Sequence, residues 1–120
     1  MMKNVMSTEP DIHVTSTPGC VSASMRHSNV WVSLAEANEL RPGFWWVCRV
    51  KVHRGCEGKG IGKALVGAMK AACAEQGAEV LQVAPGGYDG DTARQRGFYA
   101  ACGFEPEPDD PEGPMYWRPE

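Results

Sequence analysis

The chain has 120 residues and a net charge of −3, with 42% hydrophobic and 22% charged residues. This length and composition are typical of one globular domain, and the negative charge argues against a nucleic-acid-binding protein. No apolar run is long enough to span a membrane, and residues 1–10 lack the apolar core of a signal peptide. We therefore predict a loose N-terminus over residues 1–10 and a single domain over residues 11–120.

The five cysteines are scattered along the chain and form no Cys-x-x-Cys pair. An odd, scattered set does not indicate a disulfide framework, so we expect a reducing, cytoplasmic environment. Cys48, His53 and Cys56 are close in sequence, but their spacing matches no standard zinc pattern. We therefore predict that the protein has no metal site.

Short strands are predicted in the first third of the chain. Apolar and polar residues alternate over residues 11–15, 21–26 and 30–34, and Pro18–Gly19 predicts a turn after the first run. The second and third strands are expected to form a hairpin around residues 27–29. Ser33 and Glu36 have the spacing of a helix capping box, so we expect a helical turn up to Leu40 after the third strand.

A long strand is predicted over residues 44–53. Because both of its faces are apolar near the start, we expect a central strand that is covered on both sides. Strict alternation would place five apolar side chains on one face, namely Phe44, Trp46, Cys48, Val50 and Val52.

The rest of the chain alternates between predicted helices and strands. A helix is expected from about Gly60 to Gln76, a strand over residues 80–84, and a second helix over residues 92–102 with Asp91 as its N-cap. Gly77 and Gly103 are expected to end the two helices. The strand–helix–strand order predicts that strands 44–53 and 80–84 pair in parallel through a right-handed crossover.

Three further features concern the surface and the tail. Lys63 and Lys70 lie off the apolar stripe of the first helix, so we expect both to face solvent. Residues 105–114 contain four prolines, so we predict irregular structure there, followed by a last strand over residues 115–117.

The join between strand 44–53 and the first helix is unusually rich in glycine, with Gly55, Gly58, Gly60 and Gly62. Such a loop leaves backbone N–H groups bare at the positive end of a helix, which is a site for phosphate. Two nucleotide-binding patterns fail. Lys63 is followed by Ala64 instead of Ser or Thr, and Lys63 also stands where a dinucleotide motif requires its third glycine.

Two blocks of sequence resemble the GNAT superfamily of N-acetyltransferases. Residues 57–62, Glu-Gly-Lys-Gly-Ile-Gly, are similar to its pyrophosphate loop, whose pattern is Arg/Gln-x-x-Gly-x-Gly/Ala. Residues 97–104, Gly-Phe-Tyr-Ala-Ala-Cys-Gly-Phe, are similar to its later helix, which ends in Tyr-x-x-x-Gly-Phe. The resemblance covers residues 44–104, about half of the chain. The family usually has two helices between its first two strands, so the chain resembles a small, N-terminally trimmed member.

The resemblance implies an α/β (α+β) fold with a mixed, mainly antiparallel sheet. Its two central strands would be parallel and splayed around the cofactor, with one helix packed on each. The implied activity is transfer of an acetyl group from acetyl-CoA to a small-molecule or peptide amine by direct attack, without a metal. We also expect a homodimer, because the chain is short and two of its tryptophans look exposed.

The resemblance also implies roles for individual residues. Backbone groups of Val50 and Val52 would bind the pantetheine arm, and Tyr99 would protonate the departing thiolate, since a phenol pKa of about 10 is near that of a thiol. Backbone N–H groups would cradle the pyrophosphate at seven positions, namely Glu57, Gly58, Lys59, Gly60, Ile61, Gly62 and Lys63.

Glu57 departs from the family pattern, which has Arg or Gln at this position, and a carboxylate beside a pyrophosphate is repulsive. Arg54, Lys59 and Lys63 nevertheless leave the loop with a net positive charge. The effect of Glu57 on cofactor affinity must therefore be measured. The alternative function is a non-catalytic acyl-CoA-binding or assembly module. A nucleotide-binding protein is a more distant alternative, since neither nucleotide pattern is met.

Several residues keep two interpretations. Tyr99 is either the catalytic acid or a core tyrosine whose hydroxyl has a polar partner. The general base is left open among His53, Glu36, Glu39, Asp89 and Asp91. The acidic run is either a solvated loop or a rim that favours a cationic amine, and it consists of Glu105, Glu107, Asp109, Asp110 and Glu112.

Overall fold

The computed structural model describes residues 12–26, 32–52, 60–85 and 92–119. It contains the helices α1 (Ile61–Glu75) and α2 (Thr92–Ala101). The strands are β1 (His13–Thr17), β2 (Cys20–Arg26), β3 (Val32–Arg41), β4 (Phe44–Lys51), β5 (Val80–Val83), β6 (Glu105–Glu107) and β7 (Asp110–Trp117). They form one sheet in the order β1-β2-β3-β4-β5-β7-β6, in which β4 and β5 are parallel and the other neighbours are antiparallel. The predicted mixed sheet is therefore confirmed.

Residues 12–26 and 32–43 form strands and turns, without a helix. Pro18–Gly19 joins β1 to β2, and Gly19 has the positive φ (+79°) that such a turn requires. β2 and β3 pair antiparallel as predicted, and the expected turn around residues 27–29 lies outside the described residues.

The helical turn predicted after Ser33 is wrong, because β3 continues as a strand to Arg41. Ser33, Ala35 and Ala37 are fully buried at alternate positions, which is the period of a strand. β3 also pairs with β2 on one side and β4 on the other. Sheet pairing on both edges and burial on one face outweigh the local capping signal.

β4 is the central strand, but its side chains do not alternate regularly. Arg49 pairs with Glu36 and Val47 pairs with Ala37, so Cys48 is an extra residue that forms a β-bulge. Trp45 and Val47 are buried, and beyond the bulge Val50 packs against the core. Trp46 is 40% exposed, so the prediction of one continuous apolar face and of cover on both sides is wrong.

Both helices end as the glycines predicted. Gly77 follows α1 with φ +90°, and the Ala78 N–H donates to the Cys73 carbonyl at 3.0 Å. Gly103 follows α2 with φ +95°, and the Phe104 N–H donates to the Tyr99 carbonyl at 3.0 Å. Each end is thus a Schellman motif with glycine at C′. The N-cap predicted at Asp91 lies outside the described residues.

α1 and α2 lie side by side on one face of the sheet. α1 packs mainly on β2 and β3, rather than on β4 alone as expected. Its Lys70 Nζ donates to the Cys102 carbonyl at 2.5 Å and lies 4.9 Å from the centre of the Trp117 ring. The prediction that Lys70 faces solvent is therefore wrong, because the carbonyls at the C-terminus of α2 attract its charge. Lys63 is exposed as predicted.

The core lies between this pair of helices and the sheet. Its largest fully buried side chains are Trp45, Phe104, Leu65, Met69, Leu81, Val21 and Val66. We call the opposite side of the sheet, which carries Asn38, Trp46 and Gln82, the outward face. Neither helix in the described ranges is long and apolar enough to cross a membrane.

Residues 105–114 are not irregular as predicted, because they form most of the β6–β7 hairpin. β6 is the edge strand, where a proline costs no ladder hydrogen bond when it faces outward. The β6–β7 pairing passes from Glu107–Asp110 to Pro106–Met115 and so skips residues 111–114. There the Arg96 guanidinium donates to three backbone carbonyls, those of Pro111 at 2.6 Å, Gly113 at 2.8 Å and Glu112 at 3.3 Å.

Candidate functional site

The parallel strands β4 and β5 separate toward their carboxyl ends. Residues 44–46 of β4 pair with residues 80–82 of β5, and no further pair joins them in the described part of the chain. β4 continues to Lys51, and its bulge at Cys48 follows just after the last pair. The predicted splay is therefore confirmed, and it opens at the end of the sheet where parallel strands bind ligands.

The N-terminus of α1 lies next to the end of β4. Gly60 is the N-cap residue, with φ +78°, and no side chain of the described residues caps the first turn. That turn has no acidic residue, and Lys63 within it is exposed. An uncapped helix start with a nearby lysine is suited to an anion, because its N–H groups and dipole favour negative charge.

Gly62 brings three elements together at this point. A Cβ on Gly62 would lie 3.0 Å from Val52 Cγ2 and 3.1 Å from Phe98 Cε1. The first turn of α1, the residue that follows β4 and the middle of α2 therefore meet at van der Waals distance. Only glycine allows this approach without displacing a neighbour.

Tyr99 is 8% exposed and is held between two aromatic rings. Its ring lies 5.2 Å from that of Phe98 and 5.7 Å from that of Phe104, edge to face in both pairs. Tyr99 and Phe104 are the C3 and C″ residues of the Schellman motif, which commonly touch. The Tyr-x-x-x-Gly-Phe block thus has a structural role at the helix end. In the sequence, this helix end is indicated by a glycine at C′ together with aromatic residues at C3 and C″.

The described cysteines are free and buried or half-buried except for exposed Cys20. Burial raises the pKa of the Cys73 thiol to about 12. Burial, followed by the Glu36 carboxylate, raises the pKa of Cys48, and burial also raises that of Cys102. These three thiols are therefore protonated at neutral pH, so they are poor nucleophiles for a covalent acyl transfer.

Two of the candidate bases lie away from Tyr99. Glu36 is on the outward face, where its Oε1 accepts from Arg49 at 2.9 Å. Glu39 accepts from the Gly43 N–H at 3.2 Å, at the start of β4 and far from the splay. His53, Asp89 and Asp91 lie outside the described residues, as do Cys56, Glu57, Gly58 and Lys59. The described residues contain no cluster of three His, Cys, Asp or Glu side chains for a metal.

The acidic run lies on the β6–β7 hairpin. Four of its carboxylates are exposed, and half-buried Glu107 is 3.6 Å from Arg118. Val83 pairs with Met115 while Leu81 pairs with Trp117, so β7 begins at the carboxyl end of β5. The acidic turn is therefore at the same end of the sheet as the splay.

A family comparison agrees with this geometry. The family model for the acetyltransferase (GNAT) domain matches residues 13–106, which is most of the chain. The chain belongs to the GNAT superfamily. It is thus a member of an acyltransferase family, and the expected fold and family are both confirmed. No curated protein sequence matches the chain significantly.

Solved structures share the fold of this GNAT protein. A candidate acyl-CoA N-acyltransferase from Klebsiella pneumoniae has a TM-score of 0.67 at 17% identity, covering 83% of this chain and 72% of that one. The Bacillus cereus IAA acetyltransferase has a TM-score of 0.61 at 23% identity, covering 72% and 55%. The Thermoplasma acidophilum PaiA N-acetyltransferase, solved with coenzyme A, has a TM-score of 0.67 at 14% identity, covering 84% and 62%. This chain therefore spans about half to three quarters of their lengths, and these identities establish the fold alone.

Proposed function

We propose that this GNAT protein is an N-acetyltransferase that uses acetyl-CoA and transfers the acetyl group to an amine by direct attack. The observation that carries the proposal is the meeting of the β4–β5 splay with the uncapped start of α1. The helix start suits a pyrophosphate, and the splay offers strand edges for an extended arm.

The residues present fit acetyl-CoA. Gly60, Ile61, Gly62 and Lys63 form the described part of the proposed pyrophosphate loop, and they contain no carboxylate. Glu57, Gly58 and Lys59 would complete it. Val50 and Val52 would bind the pantetheine arm through their backbone groups, beyond the point where pairing with β5 ends. The complex of PaiA with coenzyme A is in keeping with this cofactor.

In the proposed reaction the amine nitrogen attacks the thioester carbonyl, a C–N bond forms and the C–S bond breaks. Tyr99 would donate its hydroxyl proton to the departing sulfur, and a base would remove a proton from the amine. The two aromatic neighbours of Tyr99 restrict its ring, which favours a fixed donor. The acidic hairpin at the same end of the sheet favours a cationic acceptor.

Two further proposals concern the state of the protein in the cell. The exposed free thiol of Cys20 fits a reducing compartment such as the cytoplasm. The exposed ring of Trp46 favours a homodimer.

A thiol-release assay tests the activity. The protein is incubated with acetyl-CoA and pools of primary amines, and free CoA is measured with a thiol reagent. Release that needs an amine supports the enzyme, whereas acetyl-CoA binding without release with any amine would leave the acyl-CoA-binding module as the function. That alternative is favoured by Glu57, which would repel the pyrophosphate, and by the described residues 12–26 and 32–43, which form strands and turns without a helix.

A further inference from the structure

The outward face of the sheet has an exposed tryptophan at its centre and carries no helix of the described residues. Trp46, on the central strand, is 40% exposed there, although Trp45 beside it is fully buried on the other face. Phe44, Val80 and Tyr116 are half-buried around Trp46. An exposed tryptophan among partly exposed apolar residues is typical of a surface that binds another protein.

A single row of side chains crosses this face through every strand. The pairing of neighbouring strands places in one row Thr17, Cys20, Asn38, Trp46, Gln82, Tyr116 and Glu105. Trp46 is the middle of the seven residues, because β4 has three strands on each side. The amides of Asn38 and Gln82 flank it on the two neighbouring strands, at the usual strand spacing of about 4.8 Å.

We propose that a second copy of this chain packs on the outward face. The two copies are related by a two-fold axis that lies between the two sheets and runs parallel to β4. Such an axis places Trp46 against its own copy at the centre. It also places Asn38 opposite Gln82 of the second copy, and an amide can both donate to and accept from another amide. Cys20 then faces Tyr116, and Thr17 faces Glu105. The row is therefore complementary to itself.

The charges at the rim fit the same axis. Arg26 ends β2, which runs parallel to β4, so Arg26 is at the carboxyl end of β4. The acidic turn of the β6–β7 hairpin is at that end too, on the opposite side of β4. A rotation about an axis parallel to β4 exchanges the left and right sides of the sheet and leaves the carboxyl end of β4 at the same end. Arg26 of one copy therefore approaches Asp109 and Asp110 of the other. Complementary rim charges of this kind fix the register of an interface.

The size of the face is sufficient for a dimer. Seven strands span about 29 Å, and the eight residues of β4 span about 26 Å. This is of the order of the ~800 Å² per partner that a stable interface buries. Two twisted sheets pack face to face about 10 Å apart, close enough for the Trp46 rings to touch. The inference rests on the homodimer of the proposed function but not on its chemistry.

The first test compares two apolar-to-acidic substitutions by analytical ultracentrifugation without acetyl-CoA. Trp46→Glu is expected to raise the dimer dissociation constant at least ~100-fold, because the axis places both copies of a central tryptophan together. Val14→Glu is the control, since Val14 is 41% exposed but lies on the helix-bearing face, where it pairs with buried Ala23. A monomeric wild type, or a Trp46→Glu variant that dimerises like the control, would overturn the inference.

The second test locates the axis by charge exchange. One variant carries N38K and Q82K, and the other carries N38K and Q82E. The first is expected to be at least ~10-fold weaker as a dimer than the wild type, because like charges then face each other. The second is expected to dimerise at least ~10-fold more tightly than the first, because position 38 then faces the opposite charge at position 82 of the second copy. Analytical ultracentrifugation measures both dissociation constants, and equal values for the two variants would contradict a two-fold axis parallel to β4. Circular dichroism verifies that each variant is folded, and acetyl-CoA binding, measured separately, tests the proposed function.

Discussion

The two faces of the sheet have opposite environments, and the neighbouring residues Trp45 and Trp46 show the difference most clearly. Trp45 is fully buried under the helices, whereas Trp46 is 40% exposed on the outward face. The helix-bearing face holds the core and the candidate cofactor site, so substitutions there act on stability and chemistry. The outward face is free of helices in the described ranges, so substitutions there act on association with a second copy.

The largest expected effect is the difference in stability between substitutions of the two tryptophans. Trp45→Ala is expected to lower the free energy of unfolding by about 3–5 kcal/mol, because a large buried ring leaves a cavity. Trp46→Ala is expected to cost about 1 kcal/mol or less when the protein is dilute and monomeric. Urea denaturation at low protein concentration measures both. Equal losses for the two variants would show that the faces do not differ as described.

Tyr99 tests the chemistry of the helix-bearing face. Tyr99→Phe retains the edge-to-face ring contacts but removes the proposed acid, so we expect kcat to fall ~100-fold. Acetyl-CoA affinity, measured by calorimetry, is expected to change less than ~3-fold because the ring packing is kept. If kcat stays unchanged, Tyr99 is a core tyrosine that stabilises the end of α2 and has no catalytic role.

Two glycines of α1 separate the site from the rest of the helix. Gly62→Ala places a Cβ 3.0 Å from Val52, so we expect ~10-fold weaker acetyl-CoA binding and about 1–3 kcal/mol of lost stability. Gly67→Ala is the matched control, because a Cβ on Gly67 would meet nothing within 4 Å. The control is expected to gain about 0.5–1 kcal/mol of stability from helix propensity. Equal affinities for the two variants would place the cofactor elsewhere.

Glu57 provides the smallest expected effect. Glu57→Gln removes a negative charge beside the proposed pyrophosphate, so we expect acetyl-CoA to bind ~3–10-fold more tightly at low salt. Calorimetry at two salt concentrations measures the change, which is expected to shrink as salt screens the charge. Unchanged or weaker binding would show that Glu57 has another role.

Much of the helix-bearing half could be predicted from the sequence, because its signals are local. Gly77 and Gly103 end their helices by a backbone conformation that glycine favours, and both predictions are confirmed. The helix after the glycine-rich loop and the parallel pair β4–β5 follow from periodicity and chain order.

The errors arise where distant contacts decide the structure. Ser33 has a capping signal, but pairing with two neighbouring strands keeps β3 extended. The bulge at Cys48 depends on the register with β3, which strict alternation along one strand does not reveal. The hairpin over residues 105–114 is held by Arg96, which lies on α2 and supplies donors where the ladder is interrupted. The environment of Lys70 likewise depends on the position of α2, because its Nζ donates to the Cys102 carbonyl at the end of that helix.

The most direct test of the central claim is a thermal shift of the pure protein with acetyl-CoA, CoA, ATP and NAD in separate samples. At ~100 times the dissociation constant, a ligand that binds the native state should raise Tm by about 10 °C. We expect acetyl-CoA and CoA to give this rise, and ATP and NAD to give none. A rise with ATP or NAD alone, or no rise with either CoA species, would contradict an acyl-CoA site at the start of α1.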